Sequence, residues 1–333
     1  MEWPIDQSPV RVVATTLLAA AFAWGTPAQA ETGRTLRMGY ILAADSQLGA
    51  GASAMGDELA KRTGGRLTIE QFPNSALGGE VEMLKGVQLG TIDLAFITGA
   101  PLLNIVPDVG VFNIPFLFRD AAHARAVLDG PIGQSYLQKF RPKDLVPLAW
   151  GENGMRHITN AKRPVVTPDD LKGLKLRLPQ SEVMLAGFRA LGAEVSPLPF
   201  PQLYDALKFG QFDGQENPIA TILASKFAQV QHYLTLSGHV YDPAIIVMSA
   251  DAFDDLAEGD REAIIAAAKV GAAASRTYAA EAERKGVATL AQAGMEVTSQ
   301  IDRSKFIAAV ATTMPDFEKR FGTDTIAAIR NFE

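Results

Sequence analysis

Two separate runs of alternating strand and helix patterns constrain this chain more than any other feature. The first reads TLRMGYI (35–41) as a strand, GAGASAMGDELAKRT (49–63) as a helix stopped by Gly64-Gly65, RLTIEQF (66–72) as a strand, EVEMLKGVQL (80–89) as a helix and TIDLAFIT (91–98) as a strand. Strand–helix alternation with short loops makes a parallel sheet covered by helices. The second run reads KLRLP (175–179), SEVMLAGFRALG (181–192), EVSPLP (194–199), PQLYDALKF (201–209) and FDGQENP (212–218) the same way. The two runs echo each other where GVQLGTIDLA (86–95) and ALKFGQFDGQ (206–215) each close a helix with Gly, pass to an Asp and enter a strand. Either match alone is an ordinary helix stop. Both, at the same stage of a βαβ run, point to two lobes of similar construction, and 333 residues exceed what one compact core holds.

Between the runs, LVPLAWGENGMRHITN (145–160) reads as two strands joined by a glycine-rich bend, a plausible hinge, and HYLTLSGHVYDPAIIVMS (232–249) as a second extended segment. From Asp260 to Gln292 there is no proline and much alanine, with Asp260 placed as N-cap after Gly259. A helix of that length runs about 50 Å, long enough to brace both lobes, with Gly271 and Gly286 as bending points. The expected fold is therefore α/β, a two-lobed periplasmic-binding-protein (flytrap) architecture with hinge strands and a long spanning helix. Lobe I takes 31–153 plus about 241–275, and lobe II 154–240 plus about 276–333.

The N-terminus sets the compartment. Residues 12–25 (VVATTLLAAAFAWG) are apolar, follow Arg11 and precede Ala28-Gln29-Ala30, the pattern of a signal peptide over 1–30 cleaved after Ala30. The stretch is too short to span a bilayer, so the mature product is expected in the periplasm. No cysteine occurs, which excludes disulfides, a thiol nucleophile and a lipid-attachment site. A net charge of −6 without a basic run argues against nucleic acid as partner, and an acidic protein that binds an anion needs a local positive site. The four histidines show no metal-ligand spacing, and no Walker A, GxSxG or EF-hand pattern appears, so neither cofactor nor metal is expected. Gly49-Ala50-Gly51-Ala52-Ser53-Ala54 satisfies a dinucleotide fingerprint, yet seven residues part the strand from the first glycine, where a phosphate turn needs it at the strand end. These small residues read instead as close packing of the first helix.

Four features can hold an anion or its polar groups. Arg156 lies in GENGMRHITN just past the hinge. Arg177 lies in KLRLP at the C-terminal end of a parallel strand, where open α/β sheets bind ligands. Gln215-Glu216-Asn217-Pro218 is a polar run in an apolar context, and Glu80 opens a helix after Gly78-Gly79. Singly, each has a plain structural role: a solvated arginine, a turn-opening Asn before Pro, a first-turn Glu favoured by the helix dipole. Together, two arginines and an amide beside a hinge suit a carboxylate, whose two oxygens match the guanidinium fork.

At these residues the chain resembles the extracytoplasmic solute-binding proteins of TRAP (tripartite ATP-independent periplasmic) transporters, the C4-dicarboxylate-binding, DctP-type family. The likeness covers about 35 to 325 and rests on RTGGRLTIEQFPNSALGGEVEMLKGVQLGTIDLA, NIPFLFRD, GMRHITNAKRPVVTPDDLKGLKLRLPQSE and LYDALKFGQFDGQENP in this order. It implies two lobes joined by crossing strands, a long helix across both, and closure over a carboxylate that is then delivered to TRAP permease subunits. By the resemblance, Arg177 is the principal clamp, Arg156 the second arginine, Asn217 the amide from the second lobe, and Glu80 a position that faces hydroxyls in sugar-acid binders. Ser46 and Gln47 fall in a variable ligand-contacting loop. Gln215, Tyr241 and Phe200 are weaker candidates, Phe200 as an apolar wall. The function expected is binding without catalysis by a monomer, with a uronate or aldonate as ligand because Glu80 repels a second carboxylate. A C4-dicarboxylate, a periplasmic enzyme using Glu80 as base, and a sensor-coupled binder are the alternatives.

Overall fold

A nine-stranded mixed sheet runs through the protein in the order β2-β1-β3-β8-β4-β7-β5-β6, with β9 added beside β8. The computed structural model describes residues 1–6 and 33–333, and the apolar stretch and cleavage site of the expected signal peptide lie outside them; residues 1–6 form no helix or strand. The strands are β1 (Arg34–Gly39), β2 (Leu67–Phe72), β3 (Leu94–Thr98), β4 (Leu145–Asn160), β5 (Lys175–Leu178), β6 (Glu194–Pro197), β7 (Gly214–Pro218), β8 (Tyr233–Ser249) and β9 (Glu296–Thr298). Pairing is parallel within each expected βαβ run, β2-β1-β3 on one side and β6-β5-β7 on the other. The two runs are sewn together by β4 and β8, which pair with each other, with β3 and with β7 in antiparallel sense.

β4 is one continuous strand of 16 residues, not two joined by a bend. Gly154, one of the glycines that suggested a bend, enters at an irregularity of register between Glu152 and Gly154, and two more lie between Pro147 and Ala149 and between Arg156 and Ile158. A bulge shifts one strand against its partner and twists it without ending it. Gly154 takes φ +133, and a Cβ there would stand 2.9 Å from Pro218 Cβ, so this crossing point admits only glycine. The N-terminal half of β4 and the C-terminal half of β8 thus belong to one sheet half, and the remaining halves to the other.

Three buried apolar clusters follow this division. One gathers Leu36, Met38, Phe96, Phe112, Trp150 and Ile246; a second Leu176, Leu178, Met184 and Phe188; a third Leu203, Ile219, Phe227 and Leu234. The last helices, Met314–Phe321 and Thr323–Arg330, allotted to lobe II in the sequence reading, set Phe317, Ile326 and Ile329 into the first cluster.

The long helix runs Glu258–Gln292. Asp260 is not its N-cap; Ala257 holds that position, and Asp260 sits in the first turn and takes a two-pronged hydrogen bond from Arg66 at 2.8 and 2.9 Å. Gly271 and Gly286 act as contact points. A Cβ on Gly271 would stand 2.6 Å from the Gly51 carbonyl oxygen, and one on Gly51 2.9 Å from that of Gly271. The GAGASA stretch is therefore the close crossing of helix Gln47–Thr63 with the long helix. Further along, Gly286 admits Leu223 of helix Ile219–Ala224 from the other half, where a Cβ would stand 2.6 Å from Leu223 Cδ1. Among the described residues, no helix is long and apolar enough to cross a membrane.

Candidate functional site

The parallel strands of both runs end at the same cleft, at Gly39 and Thr98 on one side and Leu178 and Pro218 on the other. The halves touch across it: Ser181 Oγ lies 3.0 Å from Asn113 Oδ1, Asn104 Nδ2 donates to the Gln180 carbonyl at 2.9 Å, and Phe116 N to the His239 carbonyl at 2.7 Å.

Arg177 stands between Leu176 and Leu178 on β5; strand alternation buries those two in the second cluster and turns Arg177 to the opposite face. It is 2% exposed. Its Nε and Nη2 both donate to the Leu198 carbonyl, at 2.8 and 2.6 Å, and its guanidinium lies 5.9 Å from the centre of the Phe200 ring. No carboxylate among the described residues forms an ion pair with it. Burial pushes its pKa down to about 10, against the partial support of Glu216 and Glu80. A buried cation in that condition wants an anion.

Arg156 has the opposite surroundings. On β4 it donates from Nε to Glu216 Oε2 at 2.5 Å, from Nη2 to Glu216 Oε1 at 2.8 Å and to the Glu216 carbonyl at 2.6 Å, and from Nη1 to Asp242 Oδ2 at 2.6 Å. Burial alone would lower its pKa, but the two carboxylates outweigh that and hold it above the usual value. Burial likewise opposes the Glu216 carboxylate, which Arg156 and His239 keep below the usual range. His239 Nε2 lies 2.9 Å from Glu216 Oε2 and Nδ1 2.8 Å from Ser237 Oγ; burial lowers its pKa and favours the neutral ring. Arg156 is thus the centre of a satisfied buried network, with a longer contact of 3.3 Å to Asn217 Oδ1.

The other predicted residues sort by what they touch. Asn217 Nδ2 donates to Gln215 Oε1 at 2.5 Å, and Gln215 Nε2 to Thr159 Oγ1 at 2.8 Å, so Gln215 braces Asn217 beside Arg156. Glu80 opens helix Glu80–Gln88 and accepts the Thr98 backbone N–H at 2.7 Å. Burial pushes its carboxyl up to about 7; Thr98 opposes that, Asp242 adds to it, and Arg177 draws it back. Glu80, Arg177 and Asp242 therefore share one electrostatic environment. Phe200 packs against both the first and third clusters. Ser46 is the N-cap of helix Gln47–Thr63, accepting Gly49 N–H at 3.2 Å and donating to the Ala43 carbonyl at 2.5 Å. Gln47 reaches across the lobes, its Nε2 donating to Asn153 Oδ1 at 2.7 Å and Thr221 Oγ1 at 2.9 Å. Tyr241 is not brought to Arg177; its hydroxyl donates to Glu152 Oε2 at 2.9 Å, in a separate group with Arg125.

Asp242, His239 and Asn153 are not among the residues expected from the sequence, and Glu216 enters there only as a member of the polar run 215–218. The signal was present for two of them: an arginine in the buried centre of a long strand obliges a carboxylate nearby, and Glu216 and Asp242 are acids inside otherwise apolar extended segments.

A two-lobed sheet whose two parallel runs meet around a buried guanidinium with no ion-pair partner among the described residues has the build of a solute-binding protein. The chain belongs to the bacterial extracellular solute-binding proteins, family 7, whose pattern matches residues 38–320. This is the TRAP solute-binding family, which binds small organic acids and works with TRAP permease components. A solute-binding protein of Verminephrobacter eiseniae is 46% identical over 297 residues, 89% of each chain. The TRAP periplasmic solute-binding protein of Polaromonas sp. JS666, solved with bound D-erythronate, is 45% identical with a TM-score of 0.89, over 90% of this chain and 99% of that one. That of Bordetella bronchiseptica, with density interpreted as pantoate, is 45% identical with a TM-score of 0.88, over the same 90% and 99%.

Proposed function

We propose that this chain is secreted by cleavage after Ala30, captures a hydroxylated monocarboxylate of the aldonate or uronate class in the periplasm, and hands it as a monomer to TRAP permease subunits without chemical change. Arg177, buried with no carboxylate partner, is the observation that carries the reading. In this account Arg177 takes both carboxylate oxygens and Asn217 lends a further donor, while Arg156, committed to Glu216 and Asp242, positions the groups around them. Closure of the lobes excludes water and strengthens each charge-assisted bond, worth about 1.5–3 kcal/mol. Several such bonds reach the roughly −8 kcal/mol of a micromolar complex.

The remainder of the cleft favours hydroxyls over a second acid. A second carboxylate would face Glu80 and Asp242, whereas a hydroxyl donates to them. Both D-erythronate and pantoate, the ligands of the relatives from Polaromonas and Bordetella, are hydroxylated monocarboxylates on a four-carbon chain. A thermal-shift panel of D-erythronate, pantoate, D-glucuronate, D-galactonate, succinate and malate tests the proposal. Ligand at 100 times its Kd adds about 2.7 kcal/mol to stability, and the largest shift is expected from a hydroxy monocarboxylate. A larger shift from succinate or malate than from every hydroxy monocarboxylate would overturn the ligand class.

A further inference from the structure

Two buried oxygens beside the Arg156 network lack any donor among the described residues: Asp242 Oδ1 and Gln47 Oε1. Asp242 is 1% exposed and Gln47 0%. Their orientation is set by the atoms beside them. Gln47 Nε2 points to the Asn153 carbonyl, Asn153 Oδ1 and Thr221 Oγ1, which turns Oε1 the other way. Asp242 Oδ2 accepts from Arg156 Nη1 and from Asn153 Nδ2 at 2.7 Å, which leaves Oδ1 facing Gly99, the residue after β3 at the cleft. A Cβ on Gly99 would stand 2.7 Å from Asp242 Oδ1, so only glycine lets β3 approach this oxygen so closely. Asn153 bonds to both residues and ties the two acceptors into one unit, and Asp242 shares its electrostatic surroundings with Glu80 and, through it, with Arg177.

We infer that Asp242 Oδ1 and Gln47 Oε1 form a hydroxyl-recognition subsite, which accepts hydrogen bonds from the ligand's hydroxyl groups while Arg177 holds its carboxylate. The inference rests on the carboxylate reading above and names the group that distinguishes the ligand from a plain carboxylic acid. A buried acceptor without a donor is costly, and a ligand hydroxyl removes that cost, so a site of this kind discriminates against the analogue that lacks the hydroxyl. Gln47 Nε2 meanwhile bonds across the lobes to Thr221, so the same side chain reads the ligand and holds the halves together. Arg156 becomes a positioning residue: it fixes Asp242 and presents its free oxygen.

The test is calorimetric, with D-erythronate and its three mono-deoxy analogues (3,4-dihydroxy-, 2,4-dihydroxy- and 2,3-dihydroxybutanoate) titrated into the wild-type protein, Asp242→Asn and Gln47→Met. In the wild type, at least one deletion is expected to weaken binding by about tenfold or more. The same deletion is expected to cost less than about threefold in at least one variant, because the acceptor it served is gone. Gln47→Met leaves the Arg156 ion pairs intact, so it decides the matter should Asp242→Asn fail to fold. Equal losses in wild type and variants, or wild-type affinities for all three analogues within about threefold of D-erythronate, would overturn the subsite. Failure of the wild type to bind D-erythronate, or undiminished binding by Arg177→Met, would instead overturn the carboxylate reading.

Discussion

Replacing Arg177 by Met separates stability from binding in a way few substitutions do. The Arg177 guanidinium is buried, forms no ion pair with a carboxylate among the described residues, and has its pKa pushed down to about 10. That depression corresponds to roughly 3 kcal/mol set against the charged form by the fold. Met has similar reach and no charge, so it lifts this burden while giving up two hydrogen bonds to the Leu198 carbonyl and the face of Phe200. Hydrogen bonds from a charged donor are worth about 1.5–3 kcal/mol each, but these two share one acceptor. The gain and loss nearly cancel. The expected change in ligand-free stability is within about 1 kcal/mol, or about 1–2 °C in Tm for a chain this size. Binding of D-erythronate, by contrast, should weaken by about 2–5 kcal/mol, the usual cost of removing one partner of a buried charged pair. Differential scanning fluorimetry with and without ligand measures both. Retention of the ligand-induced shift would refute the clamp. A drop in ligand-free stability of several kcal/mol would show that Arg177 is a structural residue, and the reasoning from its missing partner would fail.

Arg156→Met makes the contrasting case: it strands Glu216 and Asp242 as buried carboxylates, and urea unfolding should show a loss of about 3–5 kcal/mol; a near-neutral result would mean that the Glu216–Arg156–Asp242 network is not assembled. Glu80 supplies a pH dependence. Its carboxyl is pushed up to about 7 by burial, against about 4.3 in an unfolded chain, so between those values the folded protein holds a proton the unfolded one releases. This contribution to stability is full below about pH 4.3 and is lost as pH rises through 7. Glu80→Gln, uncharged throughout, should therefore gain in Tm over the wild type as pH rises from about 5 to 8, and a flat difference would count against the burial argument. Gly271→Ala drives a Cβ against the Gly51 carbonyl where two helix backbones meet, and should cost about 1–3 kcal/mol in chemical denaturation; no loss would mean that the crossing has slack.

The alternating βαβ runs were legible because period and punctuation agreed: each strand ended at a Gly or Pro, and each helix presented one apolar face. The long helix was legible from its lack of proline. What the sequence left open was set by distance along the chain. Whether β4 bends or continues depends on its partner β8, roughly 90 residues away, whose register absorbs Gly154 at a bulge. Asp260 looked like a cap because its neighbours suit one; the helix starts earlier, and Arg66, nearly 200 residues upstream, claims that carboxylate. The two arginines were found by position, yet their difference was invisible, since it lies in Glu216 and Asp242 pairing directly with one and no carboxylate forming an ion pair with the other. Ser46 and Tyr241 show the same limit: each is a polar residue near the cleft in sequence terms, but a helix cap and a Glu152 partner hold them.

A crystal structure of the protein grown with D-erythronate tests the central claim most directly. The account predicts the ligand's carboxylate bidentate on the Arg177 guanidinium at about 2.7–2.9 Å, with the Arg156–Glu216–Asp242 network unchanged beside it. A carboxylate bound elsewhere, with Arg177 still donating only to the Leu198 carbonyl, would contradict it.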